Sequence, residues 1–144
     1  MKYQIDGKQV FITLARGDFI IESLEAVAIQ ENISSGCIQG IGAIDFCELG
    51  FYDFGSKIYK KEEFNGEFEL TNLTGNITIK EESPFIHAHV TISDEQFAAK
   101  GGHLFEGRIS AAGEFIMNPG TKKIVRQLNE EIGLAVWNFG GENA

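Results

Sequence analysis

From Cys37 to Met117 the chain reads as strand after strand, and this run constrains the fold more than any other feature. The segments are Cys37–Ile44, Phe46–Phe54, Lys57–Phe64, Phe68–Ile79, Phe85–Ile92 and Gly102–Met117. Gly55-Ser56, Asn65-Gly66, Glu81–Pro84 and Asp94–Lys100 mark turns between several of them. Phe68 and Leu70 share one parity while Leu73, Ile77 and Ile79 share the other, which predicts a β-bulge near Thr71–Asn72. Ahead of the run, residues 2–5 and 8–14 predict a hairpin turned at Asp6-Gly7. One helix follows, with Ile20, Ile21, Leu24, Val27 and Ala28 as its apolar stripe, Asp18 as its expected N-cap, and Asn32 and Ser34-Ser35-Gly36 at its end. Residues 121–139 fit a helix at Ile124, Val125 and Leu128 but a strand at Ala135, Val136 and Trp137. The fold class is therefore α+β, a mostly antiparallel twisted β-sheet with one main helix packed on it.

At 144 residues, with 43% hydrophobic content and twelve Phe, residues 1–144 are expected to form a single domain around one core. The net charge of −9 repels phosphate backbones and anionic headgroups. Nucleic acid would thus need a local basic patch or a partner. The basic groups Lys57/Lys60/Lys61 and Lys122/Lys123/Arg126 adjoin Glu62-Glu63 and Glu130-Glu131, and read as solvated faces. The first residues lack a signal-peptide h-region, and no stretch approaches a membrane span, so a cytoplasmic protein is expected. Cys37 and Cys47 lie in apolar, strand-like surroundings and are expected as buried free thiols.

All three histidines fall between positions 87 and 103. His87-Ala88-His89 lies within one strand, so alternation turns both imidazoles to one face, away from Ile86, Ala88, Val90 and Ile92. A hairpin centred on Gln96 places His103 across from His89, near enough for the three rings to share one ion. The alternative is ordinary core or surface histidines, but gathering the whole His content of a chain in this way favours a metal. Three neutral imidazoles suit a divalent first-row ion, zinc before the others, and leave a position for water or substrate. Protons should compete with that ion near ~6.5. His103 also shares its parity with Phe105, Ile109 and Ala111, so something should cover the site, and another subunit is the expected cover. Ser110 lies in no nucleophile elbow, and the glycines of Gly36–Gly42 precede no helix, so they read as close strand packing or bulges.

The runs Glu22–Ala26, Gly36–Ala43, Gly66–Leu70 with Leu73–Ile77, Phe85–His89 and Gly101–Gly107 together resemble a bacterial stand-alone plants-and-prokaryotes conserved (PPC) domain. The resemblance implies a fold shared with α-acetolactate decarboxylase, assembly as a homotrimer and a histidine site, with His87, His89 and His103 as metal ligands. It leaves the small-molecule ligand, and whether there is a reaction, open. Plant members accompany AT-hooks in DNA-binding regulators, whereas Gly107-Arg108-Ile109-Ser110 is no such hook. Three readings follow: a trimeric metal-binding protein with a small-molecule ligand, a DNA-associated regulator, and an assembly module with structural histidines.

Overall fold

In the computed structural model, which describes residues 1–140, β1 (Lys2–Asp6) and β2 (Gln9–Ala15) form the expected hairpin. Its turn lies one residue later than predicted. Asp6 pairs with Gln9, so Gly7-Lys8 is the two-residue loop, and Gly7 holds the positive φ of 60° that its first position requires.

The helix α1 (Ile20–Gln30) buries Ile20, Leu24, Val27 and Ala28, as its stripe predicts. Its cap is not the one expected. Phe19 occupies the N-cap position without a side-chain bond, while Asp18 accepts from Ala15 N at 2.9 Å and pairs with the terminal amine at 2.6 Å. The free first-turn donors are instead met from a distant strand: Ile21 N and Glu22 N donate to Glu106 at 2.8 and 3.2 Å. Asn32, with φ at 54°, follows the helix end.

The remaining strands are β3 (Gly36–Asp53), β4 (Ile58–Lys80), β5 (Ser83–Ser93), β6 (Ala99–Pro119), β7 (Val125–Asn129) and β8 (Leu134–Asn138). All pairings are antiparallel except one β4–β7 bridge. Two predicted interruptions are not turns. Cys37–Ile44 and Phe46–Phe54 join into β3, and Asn65-Gly66 lies inside β4, opposite Phe46, where the register of the β3–β4 pair slips. Residues 121–139 resolve as the β7–β8 hairpin rather than a helix. The bulge near Thr71 is present: Leu70 pairs with Ile92 and Asn72 with Thr91, and Thr71 is the extra residue.

The sheet order is β1-β2-β6-β3-β4-β7-β8, and β5 bonds to both β4 and β6. Hence β3, β4, β5 and β6 form a closed circuit of neighbours. On one face, Ile86, Ala88, Val90 and Ile92 of β5 join Leu24, Val27 and Ala28 in a single buried cluster with Leu104 and Ile109 of β6. Gly40 belongs to this close packing, since a Cβ there would fall 2.1 Å from the Phe115 ring. Cys47 is buried and free, but Cys37 is exposed, because alternation along β3 turns it outward next to buried Ile38. Among the described residues no helix is long and apolar enough to cross a membrane.

Candidate metal centre

Burial of Ile86, Ala88 and Val90 against α1 fixes the other face of β5 for His87 and His89. β6 pairs with β5 so that His103 lies directly across from His89, the register expected from a hairpin centred on Gln96. One ligand nitrogen from each imidazole lies within 4.8 Å of the other two, and the ring centroids are 5.1 to 5.5 Å apart. His89 is exposed, His87 is half-buried, and the Nδ1 of His103 is buried without a hydrogen-bond partner. A buried nitrogen without a partner, on a ring clustered with two other imidazoles, fits a metal ion, which would complete its coordination.

The walls of the site differ from those read along the strand. Phe105 stacks edge-on against His103 at 4.7 Å, as parity suggests. Ile109 does not share that face. Against β3, Leu104 pairs with Leu49 and Glu106 with Glu48, so the extra residue Phe105 reverses parity and Ile109 turns into the core, while Ala111 is exposed at a second register shift between Ile109 and Gly113. Tyr59 of β4 lies 5.0 Å from the His103 ring. His87 and His103 open into a cavity of about 320 Å³ walled by Tyr59, Phe85, Phe105 and Leu134–Val136. Part of the cover expected from another subunit is thus the chain's own β7–β8 hairpin.

That hairpin also carries the residue that the sequence misplaced. Arg126 is half-buried and does not belong to a solvated face with Lys122 and Lys123. Its Nε donates to Thr78 Oγ1, Nη1 to the Ala135 carbonyl and Nη2 to Asn76 Oδ1, each at 2.8 Å. Nη2 also lies 3.2 Å from His87 Nδ1. A guanidinium only donates, so this nitrogen accepts, and the neutral ring keeps its proton on Nε2. An ion bound at His87 must displace either that hydrogen bond or that proton. The available signal was weak: a charged residue between Val125 and Leu128 in a segment of unsettled period.

Burial holds the His87 imidazole down at about 4, helped by the Arg126 and His89 charges. Burial likewise holds His103 at about 4, with His87 and His89 adding to it. Both rings are neutral near pH 7, the form that ligates. Proton competition at these two rings therefore belongs near 4 rather than the ~6.5 of a free imidazole. Burial pushes the Cys47 thiol up to about 11, which leaves it inert.

Fold and cluster define a class of β-sheet proteins with one helix and a histidine triad on the sheet face away from that helix. The chain belongs to the Plants and Prokaryotes Conserved (PCC) domain family, also abbreviated PPC, whose model matches residues 1–119. It is similar to a candidate DNA-binding protein from Bacteroides thetaiotaomicron, at 32% identity over 96% of each chain and a TM-score of 0.93. It is also similar to a metal-containing protein from Archaeoglobus fulgidus, at 29% identity over 96% of this chain and 99% of that one, with a TM-score of 0.85. α-Acetolactate decarboxylase from Bacillus subtilis shares the fold alone, at 12% identity over 88% of this chain and 58% of that one, with a TM-score of 0.56. No curated protein matches. Arg126 and the β7–β8 hairpin lie beyond the residues that the family model matches.

Proposed function

We propose that the protein binds a divalent metal ion through His87, His89 and His103, zinc being the first choice, and uses it on a small molecule held in the adjoining cavity. The observation that carries this is the buried, partnerless Nδ1 of His103 beside two further imidazoles, with ligand nitrogens within 4.8 Å. The metal-containing relative from Archaeoglobus fulgidus supports it. When bound, such an ion would act as a Lewis acid or lower the pKa of a bound water. The chain's own residues do the rest: burial holds the His87 and His103 imidazoles neutral, Tyr59 and Phe105 pack against His103, and Arg126 occupies His87 Nδ1 until an ion displaces it.

Three copies are proposed to assemble, in keeping with the large apolar side chains left exposed on the β3–β4 hairpin. A DNA-associated role draws on the name of the Bacteroides relative. The net charge of −9 and the inward turn of Arg126, which leaves only Lys122 and Lys123 of its own basic group exposed, weigh against it.

The test is calorimetric titration of Zn²⁺, Mn²⁺, Fe²⁺ and Ni²⁺ into untagged protein and into the three His→Ala variants. Wild type is expected to bind at least one ion below about 10 μM, with each variant losing most of that affinity. Equal binding by the variants, or none by wild type, refutes the metal reading.

A further inference from the structure

The cavity beside the histidines has a charge character opposite to that of the whole chain. Aspartate and glutamate outnumber lysine and arginine by 21 to 12 in the sequence, yet among the described residues no carboxylate lines this cavity, while Lys80 and Arg126 both do. Arg126 is half-buried, and its partners are all neutral: Thr78, the Ala135 carbonyl, Asn76 and His87. Among the described residues neither Arg126 nor Lys80 makes a salt bridge. A cation withdrawn from water without a counter-charge is costly, and a site keeps one where a ligand supplies the missing charge.

We propose that this cavity binds a small organic carboxylate, its negative end at Arg126 and Lys80 and its apolar body against Phe85, Leu134 and Val136. Size and donor count select this class of anion. A cavity of about 320 Å³ is at the small end of the ligand-pocket range and has largely aromatic and aliphatic walls. Four contacts occupy the guanidinium, which has five N–H groups, so one remains free, and the Arg126 guanidinium and the Lys80 ammonium lie 5.3 and 5.2 Å from the centroid of the same Phe85 ring. That suffices for a monoanion. The largely apolar walls match the hydrocarbon body of such an acid, which a phosphate lacks. The ligand class extends the proposed metal function by naming what sits beside the ion, but the charge argument stands without the ion, so the two can fail separately.

The test uses isovalerate and its uncharged isostere isovaleramide as probes, titrated into EDTA-treated protein and followed by amide NMR shifts and thermal melting. Isovalerate is expected to bind at ~1 mM or tighter and at least tenfold better than isovaleramide, shifting residues 134–136 and Phe85. Arg126→Gln should lose at least tenfold in affinity, Lys80→Gln should lose severalfold, and Lys122→Gln should match wild type. Should Arg126→Gln fail to fold, Lys80→Gln and the acid–amide ratio decide. Equal binding of the amide, binding unchanged in Lys80→Gln, no binding at all, or tighter binding of inorganic phosphate would each overturn the proposal. Zinc titration of the same samples reports on the metal function independently, since loss of one result leaves the other readable.

Discussion

At the scale of single residues, His87 is contested between two cations. Its Nδ1 accepts from Arg126 at 3.2 Å, and an ion has to compete with that hydrogen bond while also being repelled by the guanidinium charge. Arg126→Gln should therefore raise zinc affinity about tenfold, roughly what removing one competing hydrogen bond allows. Titration of zinc into the variant checks this, and equal or weaker binding would show that Arg126 supports the ligand instead of opposing it. The same burial sets a pH dependence. His87 and His103 bind protons only near 4 in the folded chain but near ~6.5 once unfolded, so between those values the unfolded state holds more protons. Stability should be unaffected by these rings above ~6.5 and should fall as pH drops toward 4. Denaturant melts of metal-free protein across that window should show the fall, and a His87→Gln/His103→Gln variant should flatten it. A parallel slope in the two proteins would assign the loss to carboxylates.

At the scale of elements, α1 depends on a strand far from it in sequence. Ile21 and Glu22 donate to the Glu106 carboxylate, which Gly107 N also reaches at 2.8 Å. Burial raises the Glu106 carboxyl above its usual range, and these donors oppose that rise. Glu106→Ala leaves them without an acceptor and should cost about 1–2 kcal/mol, within the range of a lost helix cap. Asp18→Ala, by contrast, removes no cap and should leave the α1 amides as protected from exchange as in wild type. Amide hydrogen exchange of both variants compares the two directly. This pair also marks what the sequence makes legible. The helix stripe, the strands and the His89–His103 register depend on local periodicity, and the structure has them in place. The cap and Arg126 depend on contacts over 85 and 39 positions, which no local pattern encodes. Asn65-Gly66 fails for the opposite reason: its local turn signal is strong, but β3 pairs along both sides of it and holds β4 extended.

At the scale of the molecule, the β3–β4 hairpin presents more apolar surface than one chain can use. Phe51, Phe54 and Ile58 are 69%, 63% and 63% exposed, close together around its tip. Phe51 pairs with Lys60 and Ile58 with Asp53, so Phe51 and Ile58 share a face, while Tyr52 and Tyr59 occupy the opposite face toward His103. One face of the hairpin thus helps build the histidine site, and among the described residues nothing covers the other. If three copies assemble and this surface is in the contact, sedimentation equilibrium at micromolar concentration should give three times the 15.9 kDa chain mass. Phe51→Lys/Ile58→Lys, which places two charges in that contact, should shift the protein to monomer while leaving the His87–His89–His103 register intact. Its zinc affinity should then stay within a few-fold of wild type, because all three imidazoles come from one chain. A wild-type monomer would end the trimer proposal. A trimer unaffected by both lysines would move the contact elsewhere, and a monomer that no longer binds zinc would mean that assembly itself holds the histidine site in shape.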